Sequence, residues 1–190
     1  GIEDMAFQIE KTTDRIARIV QGLRTFSRSG NTDPFQTVSV DHLIKETLSL
    51  CRERFIHYGT VVKVENFQED LCFDGRATEI SQVLLNLLNN AHDAMVGLKD
   101  KWIKITVVDL TQWIEIQVTD SGTGVSPAVQ EKMFQPFFTT KEIGKGTGIG
   151  LSSSVGIVQG HRGELKFDAQ CSNTRFVIRL PKKQRVLSAA

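Results

Sequence analysis

A chain of 190 residues, 40% hydrophobic and 24% charged, has apolar material for one globular domain with a helical appendage and is not disordered in composition. Its 23 basic and 22 acidic residues are interleaved to a formal charge of +1, which excludes the electrostatic footprint of a nucleic-acid-binding surface. No apolar run reaches the roughly 18 to 20 residues that cross a bilayer, no signal pattern opens the chain, and Cys51, Cys72 and Cys171 have no metal spacing, so reduced thiols, a cytoplasmic setting and no membrane contact are expected.

Ile2, Met5, Ile9, Thr12, Ile16, Ile19, Leu23 and Phe26 recur at alternating steps of three and four, between mostly polar or charged neighbours. That heptad period predicts a long helix with one narrow apolar seam, which requires partner helices. Ser29 to Pro34 interrupts it, and a domain boundary is placed there, with residues 1–30 as a bundle helix and residues 31–190 as a globular domain. Ser39 then caps a helix carrying Leu43, Ile44, Thr47, Leu48, Cys51 and Phe55 on one face, closed at Gly59.

Thr60 to Glu65 and Leu71 to Phe73 read as strands, Thr78 to Leu98 as a second long helix, and Trp102 to Asp109 with Trp113 to Thr119 as two alternating strands. A glycine-rich region follows, holding a short helix from Ser126-Pro127 to about Met133. Gly150 to Gln159 forms a helix closed by Gly160, and Glu164 to Phe167 with Thr174 to Leu180 form a hairpin. This order predicts an α+β fold, a two-layer sandwich with helices on one face of a mixed sheet.

Three elements carry chemistry. On the second long helix Ile80, Val83, Leu84, Leu87, Leu88, Ala91, Ala94 and Met95 cover one arc, while Glu79, Gln82, Asn86, Asn90 and Asp93 line the other. Asn and Asp are poor helix formers, so a stripe of them needs a reason beyond solvation. Asn86 and Asn90, one turn apart, can aim hard carboxamide oxygens at one Mg²⁺, and Asp93 extends the wall.

Asp120-Ser121-Gly122-Thr123-Gly124 follows a strand; alone it is a common turn, but its carboxylate is suited to accept from an exocyclic amine such as that of adenine, with Gly122 and Gly124 letting the backbone approach a flat ring. The run Gly144 to Leu151 enters a helix directly. A flexible surface loop is one reading; glycines that stop where a helix begins favour the other, in which Gly146, Thr147, Gly148, Gly150 and Leu151 present backbone N–H groups and a helix N-terminus to a phosphate. The loop is neither the G-x-x-x-x-G-K-[ST] phosphate loop nor the dinucleotide fingerprint. The span of more than 20 residues that joins the first glycine motif to the second, with its short helix, Pro and Gly, reads as a mobile lid on the aromatic anchors Phe134, Phe137 and Phe138, and its Lys141 is placed to reach phosphates.

The ordered set resembles the GHKL (Bergerat) ATPase superfamily, most closely the catalytic domain of sensor histidine kinases of two-component systems. QVLLNLLNNAHDAM (Gln82 to Met95) is similar to the N box, Asp120 to Gly124 to the first glycine box, Phe134 to Phe138 to the F box, and GTGIGL (Gly146 to Leu151) to the second glycine box. The resemblance covers about residues 33–181. It implies an ATP- and Mg²⁺-dependent protein-histidine kinase in which Asn90 and Asn86 hold Mg²⁺ and Asp120 reads adenine. It further implies that residues 1–30 are the second helix of a dimerisation and phosphotransfer bundle, that the intact protein is a homodimer, and that a response regulator receiver domain takes the phosphoryl group.

None of His42, His57, His92 or His161 has the family's acceptor pattern, a His-Glu or His-Asp pair on the first bundle helix, so the acceptor histidine is expected outside this chain. In the superfamily's true ATPases a Glu one turn before the metal-binding Asn activates water; here that position is Asn86, which cannot act as a base. The competing readings are a GHKL nucleotide-binding or ATPase module that does not phosphorylate histidine, and an anti-sigma serine kinase of similar fold, which would not need the heptad helix.

Overall fold

The computed structural model describes residues 34–65, 70–142 and 146–184. The expected heptad helix and the boundary after it lie outside the described residues, as do Gly144 and Lys145 of the second glycine loop.

Strand β1 (Gln36–Ser39) leads directly into helix α1 (Val40–His57), whose first turn is capped by the Ser39 side chain accepting from the His42 N–H at 3.4 Å. Val40, Leu43, Ile44, Thr47, Cys51 and Phe55 form its buried face, and Gly59 ends it in the left-handed region at φ +67°, where only glycine sits without strain. Strands β2 (Val61–Glu65) and β3 (Cys72–Gly75) precede helix α2 (Ala77–Ala94), which buries Ile80, Val83, Leu84, Leu87, Leu88 and Ala91. Then come β4 (Trp102–Leu110), β5 (Trp113–Asp120), a four-residue helix α3 (Pro127–Gln130), helix α4 (Gly150–Gly160), β6 (Glu164–Phe167) and β7 (Arg175–Pro181).

Five strands form one mixed sheet in the order β2-β4-β5-β7-β6, with β2 parallel to β4 and every other pair antiparallel. Its register follows from the two-residue alternation of the strands. Ile103, Ile105 and Val107 on β4, Ile114, Ile116 and Val118 on β5, and Phe176, Ile178 and Leu180 on β7 are all buried, and all point to one face. The helices lie on that face, and their apolar arcs share one continuous core with it. Burying each such side chain contributes about 1.5–3 kcal/mol. The expected α+β two-layer sandwich is the observed fold.

Three boundaries differ from the sequence reading. Helix α2 stops at Ala94 rather than Leu98, because Gly97 turns to φ +89°; Ala94, assigned above to the apolar arc, is exposed. The short helix is regular only over Pro127–Gln130, with no hydrogen bond from the Ser126 side chain to its first turn, and turns lead on to a buried Met133. Strand β1 was not anticipated. It pairs antiparallel with β3 from Gln36 opposite Gly75 to Ser39 opposite Cys72, which also shifts β3 towards Gly75.

Candidate nucleotide site

The polar side of α2, the end of β5, the segment after α3, the lid and the start of α4 enclose a cleft of about 780 Å³. Asn86, Asn90, Asp93, Asp120, Gly124, Lys141, Gly146, Thr147, Gly148, Gly150 and Leu151 all line it. Gly122 alone among the expected site residues does not. It stands behind the Asp120 carboxylate and donates its backbone N–H to Asp120 Oδ1 at 2.7 Å. A Cβ on Gly122 would come within 2.7 Å of that oxygen, so the position must be glycine to keep this hydrogen bond.

Asp120 closes one end of the cleft. It is the last residue of β5, only 3% exposed, and the Thr174 hydroxyl also donates to its carboxylate. Burial pushes its pKa above the usual carboxylate range, and the donors from Gly122 and Thr174 offset part of that rise. A buried acceptor-only group facing a cleft is complementary to an amine donor.

At the other end the α2 stripe meets the lid. Asn86 donates through Nδ2 to Ser154 Oγ on α4 at 3.0 Å, which leaves the acceptor Oδ1 out of that bond. A Cβ on Gly150 would lie 2.4 Å from that oxygen, so a glycine at the first position of α4 is what lets the two helices meet there. Lys141 Nζ contacts Asp93 Oδ2 at 2.7 Å and Asn90 Oδ1 at 3.4 Å. Helix α4 has no side-chain hydrogen bond capping its first turn, so its N-terminal N–H groups and dipole face the cleft open to an anion.

The lid differs in one respect from its sequence reading. Phe134 and Phe138 pack against the core, but Phe137 is 69% exposed and is therefore not an anchor. Its backbone is held at φ +67° by an N–H bond to the Gly148 carbonyl at 2.9 Å, a conformation that costs a non-glycine residue about 1–2 kcal/mol. Gly148 itself lies at φ +65°, and a Cβ there would fall 2.3 Å from the Phe137 carbonyl carbon. No other residue fits.

Sequence reasoning missed Arg54, Asn89 and Thr174, all of which line the cleft. Arg54 reaches from α1 to Asn89 Oδ1 and Asp93 Oδ1, both at 2.9 Å. The helical period places it beside Cys51 and Phe55, at the edge of the buried face, and that was the available signal. The histidines take no part. His92 is buried against Phe55 and Tyr58, with Nδ1 3.3 Å from Thr60 Oγ1; His161 is fully buried and accepts the Arg76 N–H; His42 faces Glu46 on the surface.

Among the described residues no group of three or more His, Cys, Asp or Glu is arranged to hold a metal, and no helix is long and apolar enough to cross a membrane. The donors that do fit a hard cation are the carboxamide oxygens of Asn86 and Asn90. Neutral, few and oxygen-only, they match Mg²⁺ that takes its remaining ligands from phosphate and water.

Residues 75–184 match the family described as histidine kinase-, DNA gyrase B-, and HSP90-like ATPase. The two-component sensor PprA of Pseudomonas aeruginosa is 34% identical over 174 residues, which is 88% of this chain and 18% of that protein. The C4-dicarboxylate transport sensor protein DctB of Rhizobium meliloti is 31% identical over 92% of this chain and 28% of its own length. The chain thus spans less than a third of either relative. The solved catalytic domain of histidine kinase ThkA superposes with a TM-score of 0.71 at 32% identity, covering 80% of this chain and 100% of that one. A structure of ThkA in complex with the response regulator protein TrrA matches with a TM-score of 0.69 at 26% identity, over 90% of this chain and 49% of that one.

Proposed function

Because the chain belongs to the histidine kinase-, DNA gyrase B- and HSP90-like ATPase family, we propose that it is the phosphodonor domain of a sensor histidine kinase. It presents the γ-phosphate of ATP to a histidine on a helical bundle, from which a response regulator takes the phosphoryl group. Residues 1–30, with their heptad period, supply one helix of that bundle, through which the intact protein dimerises.

The observation that carries this reading is the state of the acids in the cleft. Among the described residues that line it, only Asp93 and Asp120 are carboxylic acids. Asp93 has one oxygen on Arg54 and the other on Lys141, and Asp120 is buried at the far end against Gly122. The position that would activate water holds Asn86, whose amide is spent on Ser154. Among the described residues that line the phosphate end, no carboxylate is left without a cation to deprotonate water. An imidazole brought from outside needs no such base, since its neutral nitrogen already carries the attacking lone pair.

The chain's own residues then do four things. Asp120 accepts the exocyclic amine of adenine and so orients the base; the N–H groups opening α4 and Lys141 hold the phosphate chain; Asn86 and Asn90 hold Mg²⁺; and the lid around Gly148 excludes water. Bound there, Mg²⁺ would spread the charge that develops as the phosphoryl group is transferred. Catalysis is positioning.

The direct consequence is slow hydrolysis. General-base assistance contributes about 10²–10⁴ to such a step, so the chain alone is expected to release inorganic phosphate from Mg-ATP at least about a hundredfold more slowly than the family's true ATPases. Steady-state phosphate release measures this. A rate equal to that of the ATPases contradicts the reading.

A further inference from the structure

Arg54 belongs to none of the four motifs and sits on a different helix from all of them, yet its guanidinium lines the phosphate end of the cleft. We propose that Arg54 is a positioning residue for polyphosphate: by holding one oxygen of Asp93, it leaves the Lys141 ammonium with positive charge to give to the nucleotide. The inference rests on the nucleotide reading of the cleft and extends it to a residue outside the motifs.

The argument is one of charge. Among the described residues Asp93 is the single acid in contact with Lys141 Nζ, at 2.7 Å through Oδ2, and an isolated pair of that kind is neutral. A neutral pair is a poor receptor for an anion, because a phosphate must first displace the carboxylate. Arg54 changes the sum. Its Nη2 lies 2.9 Å from Asp93 Oδ1 while its Nη1 donates to Asn89 Oδ1 at 2.9 Å, so the linked group of Arg54, Asp93 and Lys141 carries one net positive charge.

The geometry also divides the labour between the two cations. Arg54 makes two bonds to two residues of α2 one turn apart, and its planar fork fixes Asp93 from the α1 side. Lys141 lies on the lid, has a flexible stem, and bonds Asp93 and Asn90 from the other side. When phosphate arrives, Lys141 can leave Asp93 without stranding the carboxylate, because Arg54 still pairs it. Without Arg54, recruitment of Lys141 would leave Asp93 unpaired beside a polyanion.

The side chains of Arg54, Asp93 and Lys141 are 46%, 32% and 34% exposed, so solvent screens the effect and a modest number is expected. In titrations of the whole chain, Arg54→Gln should weaken ATP and ADP by about two- to fivefold and leave adenosine unchanged. Arg54→Lys, which keeps the charge, should retain most of the ATP affinity. Adding Asp93→Asn to Arg54→Gln should restore ATP binding towards that of Asp93→Asn alone, since no carboxylate is left to compete for Lys141. A purely structural Arg54 would lower adenosine along with ATP and would not be rescued by Asp93→Asn; that pattern, or an unchanged ATP affinity in Arg54→Gln, overturns the proposal. The unmodified chain separates the two levels: if it binds ATP no better than adenosine, the nucleotide reading of the phosphate end fails first.

Discussion

Asp120→Asn should leave the fold in place and cost the site its preference for adenine. The buried carboxylate has two acceptor oxygens; one accepts the Gly122 N–H, and the rest of its capacity serves the Thr174 hydroxyl and, in the proposed complex, the base. An asparagine has one oxygen and a donor amide in its place. Either Gly122 loses its acceptor or the adenine amine meets another donor. Loss of a hydrogen bond to a charged group is worth about 1.5–3 kcal/mol, or roughly 10- to 150-fold in affinity, so ATP binding should fall by that factor and the ratio of ATP to GTP affinity should approach one. Competition titrations with the two nucleotides read it directly, and an unaltered ratio would remove Asp120 from the adenine site.

Stability should move the other way. Burial raises the folded-state pKa of Asp120 above its unfolded value, so the native state binds the proton more tightly than the unfolded chain does. Stability contributed by this group is therefore present at low pH and lost as pH rises through the folded pKa. Above the folded pKa the buried, ionised carboxylate costs stability, and the proposed adenine contact accounts for keeping it. The unliganded Asp120→Asn protein should be at least as stable as its parent at pH 7, and its advantage should vanish under acid conditions.

The second large effect is expected of Asn90→Ala. Asn90 lies on the cleft side of α2, half-buried, and its carboxamide oxygen faces Lys141 Nζ at 3.4 Å. Substitutions beside a metal's ligands typically cost 10- to 100-fold in metal affinity, so deleting a ligand should cost at least about tenfold in the Mg²⁺-dependent part of ATP binding. Binding measured in chelator should be almost unchanged. Because alanine is a better helix former than asparagine, by some tenths of a kcal/mol, the melting temperature should hold or rise slightly. Equal Mg²⁺ dependence in the two proteins would refute the role given to Asn90.

Why these two residues were visible in the sequence, and Arg54 was not, follows from how far each signal reaches. The α2 stripe is written in one helix: a 100° period puts Asn86, Asn90 and Asp93 on one side, and the residue types are wrong for a solvated face. Asp120 is marked by a strand that ends in it and by the glycines that follow. Arg54 meets Asn89 and Asp93 across 35 and 39 residues of chain, through contacts that exist only once α1 packs on α2. On its own helix its one mark is a place at the edge of the buried face, which many surface arginines share. Asp93, read as an extension of the metal wall, proves to be committed to two cations, a pairing that needs the lid's Lys141 from 48 residues away.

The same logic covers the fold. Strand alternation and helix period gave every large element, because each buries one face against the same core. Strand β1 escaped because it has four residues, QTVS, of which only Val38 is buried, and its reason to be a strand is the β3 edge it pairs with. The lid was recognised as a segment but not in detail. Only packing shows that Phe134 and Phe138 hold it while Phe137 stands out, and only backbone geometry shows that Gly148 is wedged against the Phe137 carbonyl.

The proposed phosphodonor site has the buried Asp120 for adenine and, where the α2 stripe meets the lid, cations and carboxamides for phosphate and Mg²⁺, with no uncommitted acid among the described residues that line it. The measurement that bears on this most directly follows the γ-phosphoryl group of labelled Mg-ATP when the chain is mixed with the phosphotransfer bundle of the same protein, supplied as a separate polypeptide. The account predicts label on a bundle histidine, stable in base and lost in acid, appearing only when the chain is present and faster than inorganic phosphate is released. Label released to water, or fixed on serine, with none on histidine, would contradict it.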